Sequence, residues 1–389
     1  MSLTGQEIIV LGAGIGGLAA ARALAMRGAR VAVIERAPAI TEVGAGIQVS
    51  PNGGAVLNAL GLGEAFGKIS VSSRGAVLRD YRHGDEVLRL DLAKYGRFGL
   101  VHRADLIGLL EQGARDAGVD IRTGQNVSSV DLSGDRPVLN IDGGAPVEAP
   151  LLVGADGLHS RVRAALLGPE TAVFTGNIAW RALLPVEPGA VPDEAQVFMG
   201  PGKHLVAYPL RDGTVLNLVG TQERKEWLAE GWNHKGDPFA FREIFRDFGQ
   251  PVRGWLERVE NVMVWGLFRH QVAPHWYRSG AALLGDAAHP TLPFLAQGAC
   301  MALEDAWVLA ESLAEAGSTD AAMARYQTLR KPRCRRIVDA ATANARNYHL
   351  RSAPVRMVAH TGLRLIQKAS PRFMADRFAW LYTCDVTAR

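Results

Sequence analysis

The stretch Glu7–Arg36 limits what this chain can fold into more than any other. An apolar run, Ile8-Ile9-Val10-Leu11, is followed by Gly12, Gly14 and Gly17 in G-x-G-x-x-G spacing. Leu18 to Met26 is rich in Ala, Leu and Arg, which favours a helix, and Gly28 breaks it. Val31, Val33 and Ile34 then lead to Glu35. Strand, glycine turn, helix, strand and acid, with about 20 residues from turn to acid, is the setting that the dinucleotide fingerprint requires. Gly12 allows the tight turn, Gly14 lets backbone approach a pyrophosphate, and Gly17 lets helix and strand pack closely. The helix N-terminus would offer unpaired N–H groups to phosphates, and Glu35 would accept from ribose hydroxyls. The blander alternative is a glycine turn that only packs a strand–helix–strand unit; the alignment of all four features speaks against it. Which dinucleotide is held stays open at this point.

Composition sets the outer bounds. The chain has 389 residues, 48% hydrophobic and 21% charged, which suits a globular protein of two or three domains. A net charge of +4 helps attract an anion but falls far short of a nucleic-acid footprint. Cys300, Cys334 and Cys384 are widely spaced, which suits a reducing cytoplasm and makes neither a disulfide framework nor a metal site. The N-terminal apolar run reads as a strand rather than a leader, and no segment has the length of a membrane span.

Further along, Thr41–Val49 carries Gly44 and Gly46 in a non-helical stretch suited to lie along a flat ring. Ser50-Pro51-Asn52 caps a helix to about Leu60. Val77–Tyr81 and Glu86–Leu90 read as strands, and Val101–Leu106 opens a helix to about Ala117. Arg103 in its first turn opposes the helix dipole, which points to an anion facing it. Strands follow at Val119–Thr123, Val127–Leu132 and Val138–Ile141. Leu151–Val153 then reaches a second glycine-acid tip, Gly154-Ala155-Asp156-Gly157, before a helix carrying Arg161 and Arg163. That tip could hold a phosphate or ribose; read alone, an Asp-Gly turn with a helix cap is the simpler account. From Ile178 to Arg269 five strands surround a helical insert, Phe239–Phe248, with Trp227, Trp232 and Trp255 as packing residues. Ala281–Leu284 reaches a third tip, Gly285-Asp286, followed by helices to Glu315 and over Asp320–His349. The basic run Arg330–Arg336 reads as a solvated helix face. Residues 350–389 read as short covering helices.

One extended cofactor could touch all three tips at the carboxyl ends of one sheet. With these motifs in this order, the chain resembles the single-component FAD-dependent aromatic hydroxylases, a flavoprotein monooxygenase family, over nearly its whole length. Gly285-Asp286-Ala287-Ala288-His289-Pro290 and Ala296-Gln297-Gly298-Ala299-Cys300-Met301 are similar to the salicylate, 3-hydroxybenzoate and 6-hydroxynicotinate hydroxylase branch. The resemblance implies an α/β fold with an α+β insert. A discontinuous FAD-binding domain with a mixed or parallel sheet would span 1–70, 101–175 and 278–349. A substrate domain with an antiparallel sheet would span 71–100 and 176–277, and helices of 350–389 would cover it. It implies tightly but non-covalently bound FAD contacted by Gly12, Gly14, Gly17, Glu35, Arg36, Gln48, Arg103, Val127, Asp156, Asp286, Gly298 and Ala299. It also implies NADH or NADPH as a transient reductant, O₂ as co-substrate, no metal, and a homodimer.

In the 3-hydroxybenzoate and 6-hydroxynicotinate hydroxylases of this branch a His and a Tyr four residues apart line the substrate pocket. His204 and Tyr208 have that spacing on a strand, where period two puts them on one face. His204 would take a phenol proton and Tyr208 would hydrogen-bond the ring substituents. Without the resemblance, a satisfied His and a packing Tyr would be the simpler reading; His289 and His275 are weaker candidates. Pro293 and Phe294 would wall the ring, and Arg181 or Arg211 would hold a carboxylate, with nothing in the sequence selecting between the two. Gln48 stands where the hydroxynicotinate branch has a His, which argues against a pyridine substrate. The implied reaction is hydroxylation of a phenolic aromatic acid through a flavin C4a-hydroperoxide. Alternatives are a decarboxylating salicylate-type hydroxylase, a hydroxylase of a larger quinone- or polyketide-like phenol, a flavin reductase or redox protein without hydroxylation, and a plain NAD dehydrogenase.

Overall fold

The computed structural model describes residues 3–40, 46–226 and 234–388. Thr41–Ala45, Trp227 and Trp232 lie outside them. Six strands form one sheet in the order Tyr277–Arg278, Ala281–Leu283, Leu152–Gly154, Glu7–Leu11, Arg30–Ile34, Asp120–Arg122. All pairs are parallel except the first. Ile8 to Leu11 are buried without alternation, as a parallel strand covered on both faces requires. Leu11 pairs with both Ile34 and Gly154, and Gly154 pairs with Leu283. The three glycine-acid tips therefore leave the sheet side by side at its carboxyl end.

The first helix, Ile15–Ala25, starts three residues before the Ala/Leu-rich run because Gly16 and Gly17 are absorbed into it. A Cβ on Gly17 would stand 1.9 Å from the Gly12 carbonyl oxygen. Gly12 itself adopts φ +105°, where a Cβ would meet the Ala155 carbonyl at 2.5 Å. A Cβ on Gly14 would meet nothing within 4 Å, so that position opens outward.

The second sheet has eight strands, in the order His234–Gly236, Val262–Arg269, Val173–Pro185, Val215–Glu223, Lys203–Leu210, Ala195–Gly200, Gly75–Asp80, Glu86–Asp91. It is antiparallel except where Ala195–Gly200 runs parallel to Gly75–Asp80. One face packs on Phe241, Phe245 and Phe248. The helix of the insert spans Pro238–Ile244, and a second helix, Val252–Glu257, follows it. Trp255 packs edge-on against Phe198, with centroids 5.9 Å apart.

A small sheet of Gly46–Val49, Phe98–His102 and Ser70–Ser73 links the two large ones. Asn217 Oδ1 in the eight-stranded sheet accepts from the Gly46 N–H at 2.9 Å. Phe98–His102 is a strand, and the next helix begins at Arg103. The apolar content of 98–101 serves strand pairing before the helical period starts.

Two expectations are overturned. Residues 350–389 include a 17-residue amphipathic helix, Ala353–Ala369, followed by two short ones. The basic run is not a solvated face throughout. Arg330 is fully buried, donating from Nε to Asp305 at 2.7 Å and ion-paired through Nη1 with Glu304 at 2.5 Å. Arg333 also pairs with Glu304, at 2.8 Å, while Arg335 and Arg336 stay exposed. Its helical period splits the run, and the acids that turn Arg330 and Arg333 inward sit on the Gly298–Glu315 helix. Among the described residues no helix is long and apolar enough to cross a membrane.

Candidate active site

One cavity lies at the carboxyl end of the six-stranded sheet, and a second lies against the eight-stranded sheet. The first, of about 310 Å³, is lined by Gly12, Gly14, Glu35, Arg36, Arg103, Val127 and Asp156, among others. Glu35 accepts from the Ala13 N–H at 2.8 Å and from the Ala37 N–H at 2.9 Å, one bond to each oxygen. Those bonds orient the carboxylate and leave a lone pair on each oxygen. The Ile15–Ala25 helix has no acid in its first turn, so its N-terminus keeps its pull on anions.

Asp156 serves the chain more than the resemblance implies. Its Oδ1 accepts from the Ser160 hydroxyl and its Oδ2 from the Arg161 N–H, both at 2.6 Å. The cap alternative thus describes its carboxylate, although the residue does line the cavity. Burial raises this carboxyl above its ordinary range against those bonds. Arg163 is also structural: it is 2% exposed and donates to Glu170 and to the carbonyls of Ala287 and Gln271. Arg161 is exposed at the rim.

The second cavity, of about 330 Å³, shares Arg103 with the first. Gln48, Asp286, Gly298, Ala299, Arg181, His204, Tyr208 and Pro293 all line it. Asp286 is exposed to this space yet deep in the protein, and burial raises its carboxyl, opposed by His289 and Arg103. Gly298 and Ala299 open an 18-residue helix with no acid in its first turn. Its leading N–H groups have no acceptor within the helix.

His204, Val206 and Tyr208 face the cavity from alternate positions of one strand. His204 is 2% exposed, and burial drives its pKa well below 6.5, with His349 adding to the shift. Its Nδ1 lies 2.7 Å from His349 Nε2, which leaves Nε2 for the cavity. Phe294 stands edge-on to the His204 ring at 5.3 Å. Burial pushes the Tyr208 hydroxyl far above its ordinary value, so it stays protonated and can donate.

The two arginines separate. Arg181 lines the cavity with its guanidinium 4.6 Å from the Trp265 ring centroid. Arg211 pairs with Asp105 at 2.8 Å, is half-exposed, and is not among the lining residues. His275 is exposed, and His289 is buried against Asp305 outside the cavity. His289, Asp305 and Cys334 bring a nitrogen, an oxygen and a sulfur within 4.8 Å. The Arg330 guanidinium already occupies the cationic place beside them. Sequence reasoning missed His349, Trp265, Tyr348 and Tyr382, the last three on the cavity wall. Tyr348 and His349 end a long helix, and nothing in the local pattern shows that this end returns to the large sheet.

The arrangement fits an FAD: an open Gly14 cradle at a helix N-terminus, Glu35 at one end, and Gln48 with the 298–299 backbone at the other. Comparison with known proteins agrees. The chain is 35% identical over 347 residues to 3-hydroxybenzoate 6-hydroxylase 1 of Aquipseudomonas alcaligenes, covering 85% of this chain and 86% of that one. It is 32% identical over 345 residues to 6-hydroxynicotinate 3-monooxygenase of Pseudomonas fluorescens, covering 85% and 89%. The crystal structure of Klebsiella pneumoniae HpxO complexed with FAD and uric acid superposes with a TM-score of 0.83 at 27% identity, covering 95% and 96%. Residues 6–341 match the FAD binding domain family over most of the chain, and the protein belongs to that family.

Proposed function

We propose that this protein is an FAD-dependent monooxygenase that hydroxylates a phenolic aromatic acid of the hydroxybenzoate type, using NADH or NADPH and O₂. One observation carries the reading: His204, Tyr208 and Arg181 converge on a single cavity that the flavin-side residues Gln48, Asp286 and Gly298 also line. What FAD supplies when bound is the redox chemistry, drawing electrons from NAD(P)H and activating O₂. The rest falls to the protein. The Arg181 guanidinium holds the ring carboxylate. Tyr208 donates to a ring substituent. Neutral His204 takes the hydroxyl proton at Nε2, which makes the ring electron-rich. Phe294, Trp265 and Leu292 line the cavity and keep water from the reacting ring.

The test is NAD(P)H oxidation by the FAD-loaded protein with 3-hydroxybenzoate, salicylate, 4-hydroxybenzoate, 6-hydroxynicotinate and benzoate, with products identified by mass. A phenolic acid is expected to stimulate oxidation and gain one oxygen atom, while benzoate gives no product. Loss of CO₂ from the product would move the assignment to a decarboxylating hydroxylase. Oxidation that no phenol stimulates would overturn the reading in favour of a flavin reductase. Arg181→Gln is expected to raise KM for the acid about 10- to 100-fold, with a smaller fall in kcat, since it removes a charge-assisted contact made throughout the reaction.

A further inference from the structure

The His204 ring does not end at the cavity. Its Nδ1 meets His349 Nε2 at 2.7 Å, and His349 Nδ1 meets Glu223 Oε1 at 3.1 Å. The other Glu223 oxygen is held by the exposed Arg351 guanidinium at 2.6 Å. His349 and Glu223 belong to the wall of a separate, outward-opening cleft of about 640 Å³ that His204 does not line. His349 itself is 3% exposed, whereas the Glu223 side chain is 34% exposed. Two buried imidazoles and one partly exposed carboxylate thus form one hydrogen-bonded chain from the inner cavity to the outer cleft.

We propose that His349 and Glu223 form a proton relay that carries the hydroxyl proton of the bound phenol from His204 to the outer cleft. The relay rests on the reading that a phenol binds beside His204. The hydrogen-bond partners assign the tautomers. Glu223 only accepts, so His349 carries its proton on Nδ1 and presents a lone pair at Nε2; His204 must then donate from Nδ1 and present a lone pair at Nε2.

The steps balance. The phenol O–H bond breaks as an N–H bond forms at His204 Nε2. The Nδ1 proton of His204 passes to His349 Nε2, and the Nδ1 proton of His349 passes to the Glu223 carboxylate, which releases it to water. Both imidazoles start and finish neutral, so no imidazolium persists in the interior. Tyr348 and Phe294, the other rings packed on His204, carry no charge that would trap one. When the product oxygen is reprotonated, the chain runs in reverse and restores the starting tautomers.

The test needs no turnover. FAD-loaded protein without NAD(P)H is saturated with 3-hydroxybenzoate and taken through a pH jump, and the absorbance of the bound phenolate is followed by stopped flow. In His349→Ala its rate of appearance is expected to fall at least about tenfold, with imidazole in the buffer restoring it, while the flavin spectrum and ligand Kd hold. Glu223→Gln, at the exposed end, is expected to slow the same step and decides the matter alone if His349→Ala does not fold. Rates equal to the parent protein in the variants that fold would overturn the relay and leave the function standing. A parent protein that binds 3-hydroxybenzoate without forming phenolate, or that does not bind it, would overturn both.

Discussion

Arg330→Met is expected to destabilise the FAD-loaded protein by about 3 kcal/mol or more, because it leaves part of a buried charge cluster without its cation. Among the described residues Arg330 is the largest charged side chain with no exposure, and it bridges Glu304 and Asp305, adjacent acids that are equally buried. Methionine fills much of the volume and removes the charge together with the bonds to Asp305 and the Met301 carbonyl. Glu304 would keep Arg333 and Asp305 would keep His289, so the cluster is weakened rather than emptied. Burial alone would raise the Asp305 carboxyl; the His289 ring and Arg330 overcome it and hold it at about 2. A depressed folded-state pKa contributes stability that is complete above the ordinary 3.8 and is lost as pH falls through about 2. Without Arg330 both acids move upward and take up protons sooner, which relieves the variant's penalty. The gap in urea midpoint between parent and variant should therefore be widest above the ordinary carboxyl range and narrow as pH falls through that range. Arg335→Met, from the exposed part of the same run, should shift stability by no more than about 0.5 kcal/mol. Equal effects of the two variants would refute the buried-cluster account.

The same run shows where sequence reasoning stops. Local geometry was legible wherever one strand or turn contains its own cause. Gly12 and Gly17 occupy their places because a Cβ would strike main-chain carbonyls, and that need is written in the spacing. His204 and Tyr208 share a face because a strand has period two. The side-by-side alignment of the three tips follows from parallel pairing of three apolar strands. The fate of Arg330 depends instead on which helix packs against it, and the acids that decide it lie 25 and 26 positions earlier. His349 was silent for the same reason: its partners, His204 and Glu223, are brought to it by the fold from 145 and 126 residues away. Asp156 shows the reverse case. A motif gives it a ligand role and it does line the first cavity, while Ser160 and Arg161 at the start of its own helix also hold its carboxylate.

His204→Gln is expected to lower kcat for hydroxylation by about 10²- to 10³-fold, the range for loss of a positioned base, with FAD retained. Glutamine can still hydrogen-bond His349 and keep the strand packed, but it cannot accept a proton at the cavity-facing position. NAD(P)H oxidation should persist in part and yield H₂O₂ in place of product, because an un-ionised ring is a poor oxygen acceptor. Tyr208→Phe is the contrasting change. Its hydroxyl, raised by burial, acts as a donor and not as a base, so the variant should raise KM more than it lowers kcat. The pH profile separates His204 from an ordinary surface histidine. Burial lowers its pKa well below 6.5, so it stays neutral, and competent as a base, as pH falls through that value. The acid limb of kcat/KM in the parent protein should accordingly lie below pH 6.5, and it should vanish in His204→Gln along with most of the rate. An acid limb at or above 6.5 that survives the substitution would assign the base elsewhere.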